Sequence, residues 1–184
     1  TELVRGGSFV QIPVRQPLSI MVCDGYAAIG DSAFMTVPII GSGIANSFRA
    51  AKILAETVIT DVDGEYSGKT LWAYQYRFYK ELGAGLAPLA IVKLLLAKLT
   101  SEQLNYIFEN GILTSKEMTI TAKSTGVGDF FHFSPDLPKR GIAILKDKAL
   151  LKELLGVAKK MAAVITVCTE IPKKYDRAAV CSWA

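Results

Sequence analysis

Apolar positions follow different rhythms in successive parts of the chain. Residues 8–22 alternate loosely and carry Pro13 and Pro17, the pattern of an edge strand or extended chain. Tyr26 to Ile29 is a short continuous apolar run, which suggests an interior strand. From Gly43 to about Ile59 the steps lengthen to three and four, and Ala45, Phe48, Ala51, Lys52 and Ala55 share a helical stripe. Small residues on that stripe suit close packing against a sheet. Asp61-Val62-Asp63-Gly64 then stops the helix.

Helical spacing dominates the remainder. Leu71 to Leu82 carries Trp72, Tyr76 and Tyr79 on one face and ends at Gly83, and Leu86 to Leu99 is strongly apolar. Thr100-Ser101-Glu102-Gln103 opens a further helix, with Thr100 or Ser101 as its cap. Residues 124–141 are rich in glycine, proline and aspartate and predict a loop with short irregular elements. Met118-Thr119-Ile120-Thr121 and Ile142-Ala143-Ile144-Leu145 are β-prone, so short pairing is expected around residues 117–123 and 141–145. Ala149 to about Val167 forms a long last helix.

Composition narrows the class. The chain has 184 residues, enough for one domain or one and a half, and its 51% hydrophobic content argues against disorder. Three cysteines, Cys23, Cys168 and Cys181, form no Cys-x-x-Cys pair, which favours a reducing, cytoplasmic setting. The net charge of +4 is scattered, without the dense basic and aromatic footprint of a nucleic-acid binder. The single histidine, His132, lies in Phe130-Phe131-His132-Phe133 and cannot build a zinc site with these cysteines at any usual spacing; it is taken as a packed residue, and no metal is expected. Neither Leu86–Leu99 nor the last helix, interrupted by Lys159-Lys160, has the roughly 20 apolar residues of a membrane span. Either helix is expected to be a core helix with lysines reaching solvent; an interfacial helix on an anionic membrane surface stays open as the alternative.

Chemistry concentrates between residues 25 and 46. Gly30-Asp31-Ser32-Ala33 follows the apolar run, and Pro38-Ile39-Ile40-Gly41-Ser42-Gly43-Ile44 leads into the helix. Glycine lets backbone approach a ligand, an aspartate at a strand end accepts hydrogen bonds from hydroxyls, and a helix N-terminus offers free N–H groups. Gly30-Asp31-Ser32-Ala33 resembles the Gly-Asp-Ala-Ala block of glutathione-reductase-type flavoproteins. Gly41-Ser42-Gly43-Ile44-Ala45-Asn46 is similar to the Gly-Gly-Gly-Ile-x-Asn of their geranylgeranyl reductase branch. The likeness runs from about Gly6-Gly7 to Ala55, and more loosely to Gly85. Phe34 stands where aromatic hydroxylases usually carry histidine, which favours a reductase.

This resemblance implies FAD as cofactor, with Asp31 bonded to the ribityl chain, Pro38 near the ring, and Gly30, Gly41, Ser42, Gly43 and Ile44 completing the cofactor contacts. Asn46 is expected to be an ordinary polar residue of the helix face, and Arg49 to face solvent or pair with Glu56 or Asp61. Cys23 is expected to be a small buried hydrophobe. No Gly-x-Gly-x-x-Gly hexapeptide, which seats the pyrophosphate in such proteins, occurs in these residues. The chain is therefore expected to be the C-terminal portion of a larger enzyme, holding no stoichiometric FAD alone and inactive by itself. The expected fold class is α+β and predominantly helical. Residues 1–62 form part of an FAD-binding domain with few strands and one long helix, and 63–184 a separable helical region. The implied substrate is an isoprenoid or lipid whose double bonds are saturated, with peripheral membrane contact and self-association of the fragment as further expectations. Two alternatives stand beside it: a flavoprotein passing electrons to a quinone, and a helical interaction or membrane-docking module with a relict motif.

Overall fold

One hairpin and a set of packed helices carry these patterns. The computed structural model describes residues 11–114 and 137–184. Gly6-Gly7, the 117–123 segment, residues 124–136 and His132 lie outside the described residues. The described residues are mostly helical, with β1 (Val22–Cys23) and β2 (Tyr26–Ala27) paired antiparallel, Val22 opposite Ala27. A 3-10 turn (Gly30–Ala33) leads to α1 (Ile44–Ile59). Then follow α2 (Gly68–Phe78), a wide π turn (Tyr79–Gly83), α3 (Ala84–Lys98) and α4 (Ser101–Glu109). From residue 137 onward come α5 (Leu137–Lys146), α6 (Lys148–Thr169) and α7 (Arg177–Trp183).

Caps explain several boundaries. Thr100 accepts from the Gln103 amide while the Gln103 side chain accepts from the Thr100 amide, a reciprocal box that starts α4. Ser67 caps α2, and the Asp24 carboxylate at the hairpin tip accepts from the Gly68 amide at 2.6 Å. Asp147 caps α6 through the Ala149 and Leu150 amides. After α1, the Asp61 carboxylate accepts from the Tyr66 amide and closes the loop that follows the helix. Pro88, inside α3, removes one ladder donor, and the ladder widens in the turn just before that helix begins.

A main core joins Met21, Ala33, Met35, Val37, Ala50 and Ile53 to Trp72, Tyr74, Phe78, Leu86, Cys168 and Val180, so it draws on residues from both sides of position 62. Three side chains of the α2 turn region pin the preceding chain. Tyr74 donates to the Ala28 carbonyl, Tyr79 to the Leu18 carbonyl, and Gln75 both accepts from the Met21 amide and donates to the Ser19 carbonyl.

Several expectations are corrected. Tyr26 to Ile29 is not an interior strand: only Tyr26 and Ala27 are paired, and Tyr26 is exposed, because the described sheet has no third strand to cover it. The buried stripe of α1 is Asn46, Ala50, Ile53 and Thr57, while Phe48 is 73% exposed, since the helix packs on α2 and the 3-10 turn rather than on a sheet. Cys23 points to solvent, because the strand's alternation gives the inner position to Val22. Ile142 to Leu145 is helical; Tyr106 of α4 donates to the Ala143 carbonyl there, and Ala143 is buried. Helix α5 also takes residues 137–141 out of the expected loop. Lys93 does not reach solvent freely but donates to the Val14 carbonyl at 2.8 Å. Glu56 pairs with Arg77 at 2.8 Å, tying α1 to α2. Exposed Arg49 lines a surface hollow beside both.

Among the described residues no single helix is long and apolar enough to cross a membrane. Burial pushes the Cys168 thiol from 9.0 up to about 11, and the Tyr74 and Tyr79 phenols are raised for the same reason. The folded state therefore keeps protons that the unfolded chain would release. This contribution to stability is complete below about pH 9 and is lost as pH rises through about 11. Urea midpoints are expected to fall across that window, and Cys168→Ala to make the fall shallower. A pH-independent midpoint there would contradict the burial argument.

Candidate flavin-type cleft

The segment between the hairpin and α1 folds back on itself. Gly30 and Phe34 both take left-handed backbone, φ +64° and 55°, so the 3-10 turn reverses sharply. The Met35 amide donates to the Gly30 carbonyl, and the Thr36 hydroxyl donates to the Asp31 carboxylate at 3.0 Å. The Val37 amide donates to the Ser42 carbonyl and the Gly41 amide to the Val37 carbonyl, which closes a turn over residues 37–42. Arg15 lies over the Phe34 ring, 5.1 Å from its centre, which places a cation on the face of that ring.

Asn46 fastens this loop to α1. Its side-chain amide donates to the Met35 carbonyl at 2.9 Å, and the residue is fully buried. Its Oδ1 is buried without a hydrogen-bond partner. Reading Asn46 as a plain polar position missed this. Asn46 shares a face with Ala50, Ile53 and Thr57, at steps of four and three, and that face is the one α1 turns toward α2.

Asp31, Gly41, Gly43 and Ile44 line one open cleft of about 590 Å³, together with Ile12, Ile29, Ser47, Phe48 and Ala51. Four of the seven expected cofactor residues thus converge. The other three do not line it. Pro38 is fully buried, Gly30 lies against Ser47, and Ser42 enters the turn through its carbonyl. Two of the glycines answer to packing within the chain: a Cβ on Gly43 would stand 3.0 Å from the Thr36 hydroxyl, and one on Gly30 would stand 3.2 Å from that of Ser47. The cleft combines apolar walls, a carboxylate at one edge and the start of α1. Gly43 supplies no side-chain cap, so the first-turn N–H groups of α1 have no intrahelical partner. Apolar walls, an acceptor and free donors suit a flat heteroaromatic ring bearing a hydroxylated chain. Among the described residues no cluster of His, Cys, Asp or Glu is placed to hold a metal.

Over 172 residues the chain is 28% identical to a digeranylgeranylglycerophospholipid reductase of Sulfolobus acidocaldarius, covering 93% of this chain and 37% of that protein. The chain is geranylgeranyl reductase-like. A second such reductase, from Methanothrix thermoacetophila, is 31% identical over 110 residues, 59% of this chain and 27% of its own length. A third, digeranylgeranylglycerophospholipid reductase 2 of Methanothermobacter thermautotrophicus, is 27% identical over 113 residues, 61% of this chain and 29% of its own length. The reductase-like chain spans about a third of the length of these curated relatives. No family model matches it.

Proposed function

We propose that this chain forms part of an FAD-dependent reductase that saturates the double bonds of a geranylgeranyl-type lipid, and that its cleft takes the ribityl and ring end of the flavin. The observation that carries this reading is the convergence of Asp31 with the uncapped start of α1 in one apolar cleft, in a chain similar to enzymes named as reductases of such lipids. When bound, the flavin would supply the hydride for alkene reduction.

The chain's own residues hold and orient. Asp31, fixed by the Thr36 hydroxyl, accepts from a ligand hydroxyl. The N–H groups at the start of α1 favour negative charge at a ring edge. Ile12, Ile29, Ile44 and Phe48 keep water from the ring face. Asn46 positions the loop by gripping the Met35 carbonyl. The pyrophosphate and adenine end falls to sequence bearing a Gly-x-Gly-x-x-Gly turn, so the 184 residues alone are not expected to retain FAD stoichiometrically.

Flavin content of the purified full-length reductase tests the site. Asp31→Ala is expected to lower flavin retention at least tenfold. Ser32→Ala, whose exposed hydroxyl only donates to the Ile29 carbonyl, is expected to leave it unchanged. Equal flavin content in the two variants would move the cofactor elsewhere.

A further inference from the structure

One wall of the Asp31 cleft comes from chain that precedes the hairpin. Ile12 lines the cleft, and the Val14 side chain lies 4.0 Å from where a Cβ on Gly41 would stand. Residues 11–16 thus run as an irregular strap beside the turn that carries Gly41. Downstream the strap has several fastenings. The Leu18 amide donates to the Ala33 carbonyl, and Tyr79 and Gln75 donate to the Leu18 and Ser19 carbonyls. Before Pro17 the attachment is sparse. Among the described residues one hydrogen bond reaches residues 11–16, from the Lys93 ammonium to the Val14 carbonyl at 2.8 Å. The stacking of Arg15 on Phe34 accompanies it.

Lys93 stands half-buried in the apolar middle of α3. An ammonium donating to a carbonyl there makes a charge-assisted bond, roughly twice as strong as a neutral one. Its neighbour Val92 belongs to the cluster against which Ile39, of the 37–42 turn, packs. Consecutive residues of α3 therefore hold the two pieces of chain that meet at Gly41: Val92 the turn, Lys93 the strap. Pro13 and Pro17 fix φ on either side of the bonded carbonyl, which leaves the strap little slack between Val14 and Ile12. We propose that Lys93 is a positioning residue for the flavin. By gripping the Val14 carbonyl it keeps Ile12 at the cleft, and so sets how fast the cofactor leaves and how well water is kept from it. The proposal rests on the flavin reading of the cleft and goes beyond it, since Lys93 itself does not line that cleft.

Release of FAD from the full-length reductase, followed as the rise of free-flavin fluorescence on dilution, tests it. Lys93→Met keeps the aliphatic stem and loses the donor, and is expected to release flavin about tenfold faster. Iodide is expected to quench the flavin still bound to it more strongly than in the wild type. Lys93→Arg can still donate to the carbonyl and is expected to stay within about threefold of the wild type. Lys80→Met breaks a lysine bond to the Thr169 carbonyl, away from the cleft, and is expected to release at the wild-type rate. Ile12→Ala removes the cleft side chain directly. Joined to Lys93→Met, it is expected to give less than the product of the two separate effects, because both act through one strap. Wild-type release in Lys93→Met would overturn the proposal, as would multiplicative effects in the double variant. So would Lys93→Arg or Lys80→Met releasing as fast as Lys93→Met. Flavin loss in Asp31→Ala with no effect of Lys93→Met leaves the cleft reading standing and removes this one. Equal flavin in Asp31→Ala and Ser32→Ala, with fast release from Lys93→Met, removes the Asp31 contact and leaves the strap standing.

Discussion

Trp72→Ala is expected to destabilise the fold by about 3–5 kcal/mol, the range for removing a large buried aromatic side chain. Trp72 is 1% exposed, and its indole N–H donates to the Pro172 carbonyl at 2.7 Å, a bond between residues 100 positions apart. Its ring meets Tyr175 and Trp183 edge-on, at 5.8 Å and 6.3 Å between centres. Truncation would therefore open a void, orphan a carbonyl and release the segment that carries α7. Urea unfolding checks the size of the loss, and circular dichroism should show the last helix weakened before the global transition. A loss under about 1 kcal/mol, typical of an exposed site, would mean that α7 is not docked as described.

Gln75→Leu is the second large expected effect, at about 1–3 kcal/mol, because it strands the buried Met21 N–H and also removes the donor to the partly buried Ser19 carbonyl. The Gln75 amide answers the Met21 N–H at 2.8 Å and the Ser19 carbonyl at 2.5 Å, although 54 and 56 residues separate the partners. Leucine keeps the volume and loses both bonds, so the test isolates polar satisfaction from packing. Besides a lower urea midpoint, amide exchange at Met21 should accelerate while exchange in the middle of α6 changes only with global stability. If Met21 exchange does not change, the glutamine is not what holds the hairpin to α2.

What the sequence disclosed followed from local physics. Spacing alone located α1, α2, α4 and α6 to within a few residues, because caps and periodic stripes are written in neighbouring positions. Thr100 with Gln103 and the stop at Asp61–Gly64 are cases in point. The choice of face was not local. In α1 apolar and small residues occur on both sides, and the stripe through Ala45, Phe48, Ala51, Lys52 and Ala55 is the one expected to pack. Burial went to Asn46, Ala50, Ile53 and Thr57 because α2 lies on that side. Ile142 to Leu145 shows the same limit: β-branched residues favour strands weakly, and packing on α4 outweighed that preference.

The candidate site was legible as a motif and less so as a surface. Asp31, Gly41, Gly43 and Ile44 line one cleft. Buried Pro38, the inward role of Gly30 and the grip of Asn46 on Met35 depend on how the loop folds back. No spacing rule encodes that reversal.

The wide turn at Tyr79–Gly83 sets an angular offset between the helices on either side of it. An α-helix advances about 100° per residue, so one additional residue in a turn rotates everything downstream by about that angle without ending the rod. The tyrosines and glutamine of α2 can thereby address the hairpin, while Val92 and Leu95 of α3 turn toward α6. A single nearly continuous rod thus serves two clients on different bearings, with the widened turn at Tyr79–Gly83 standing between them.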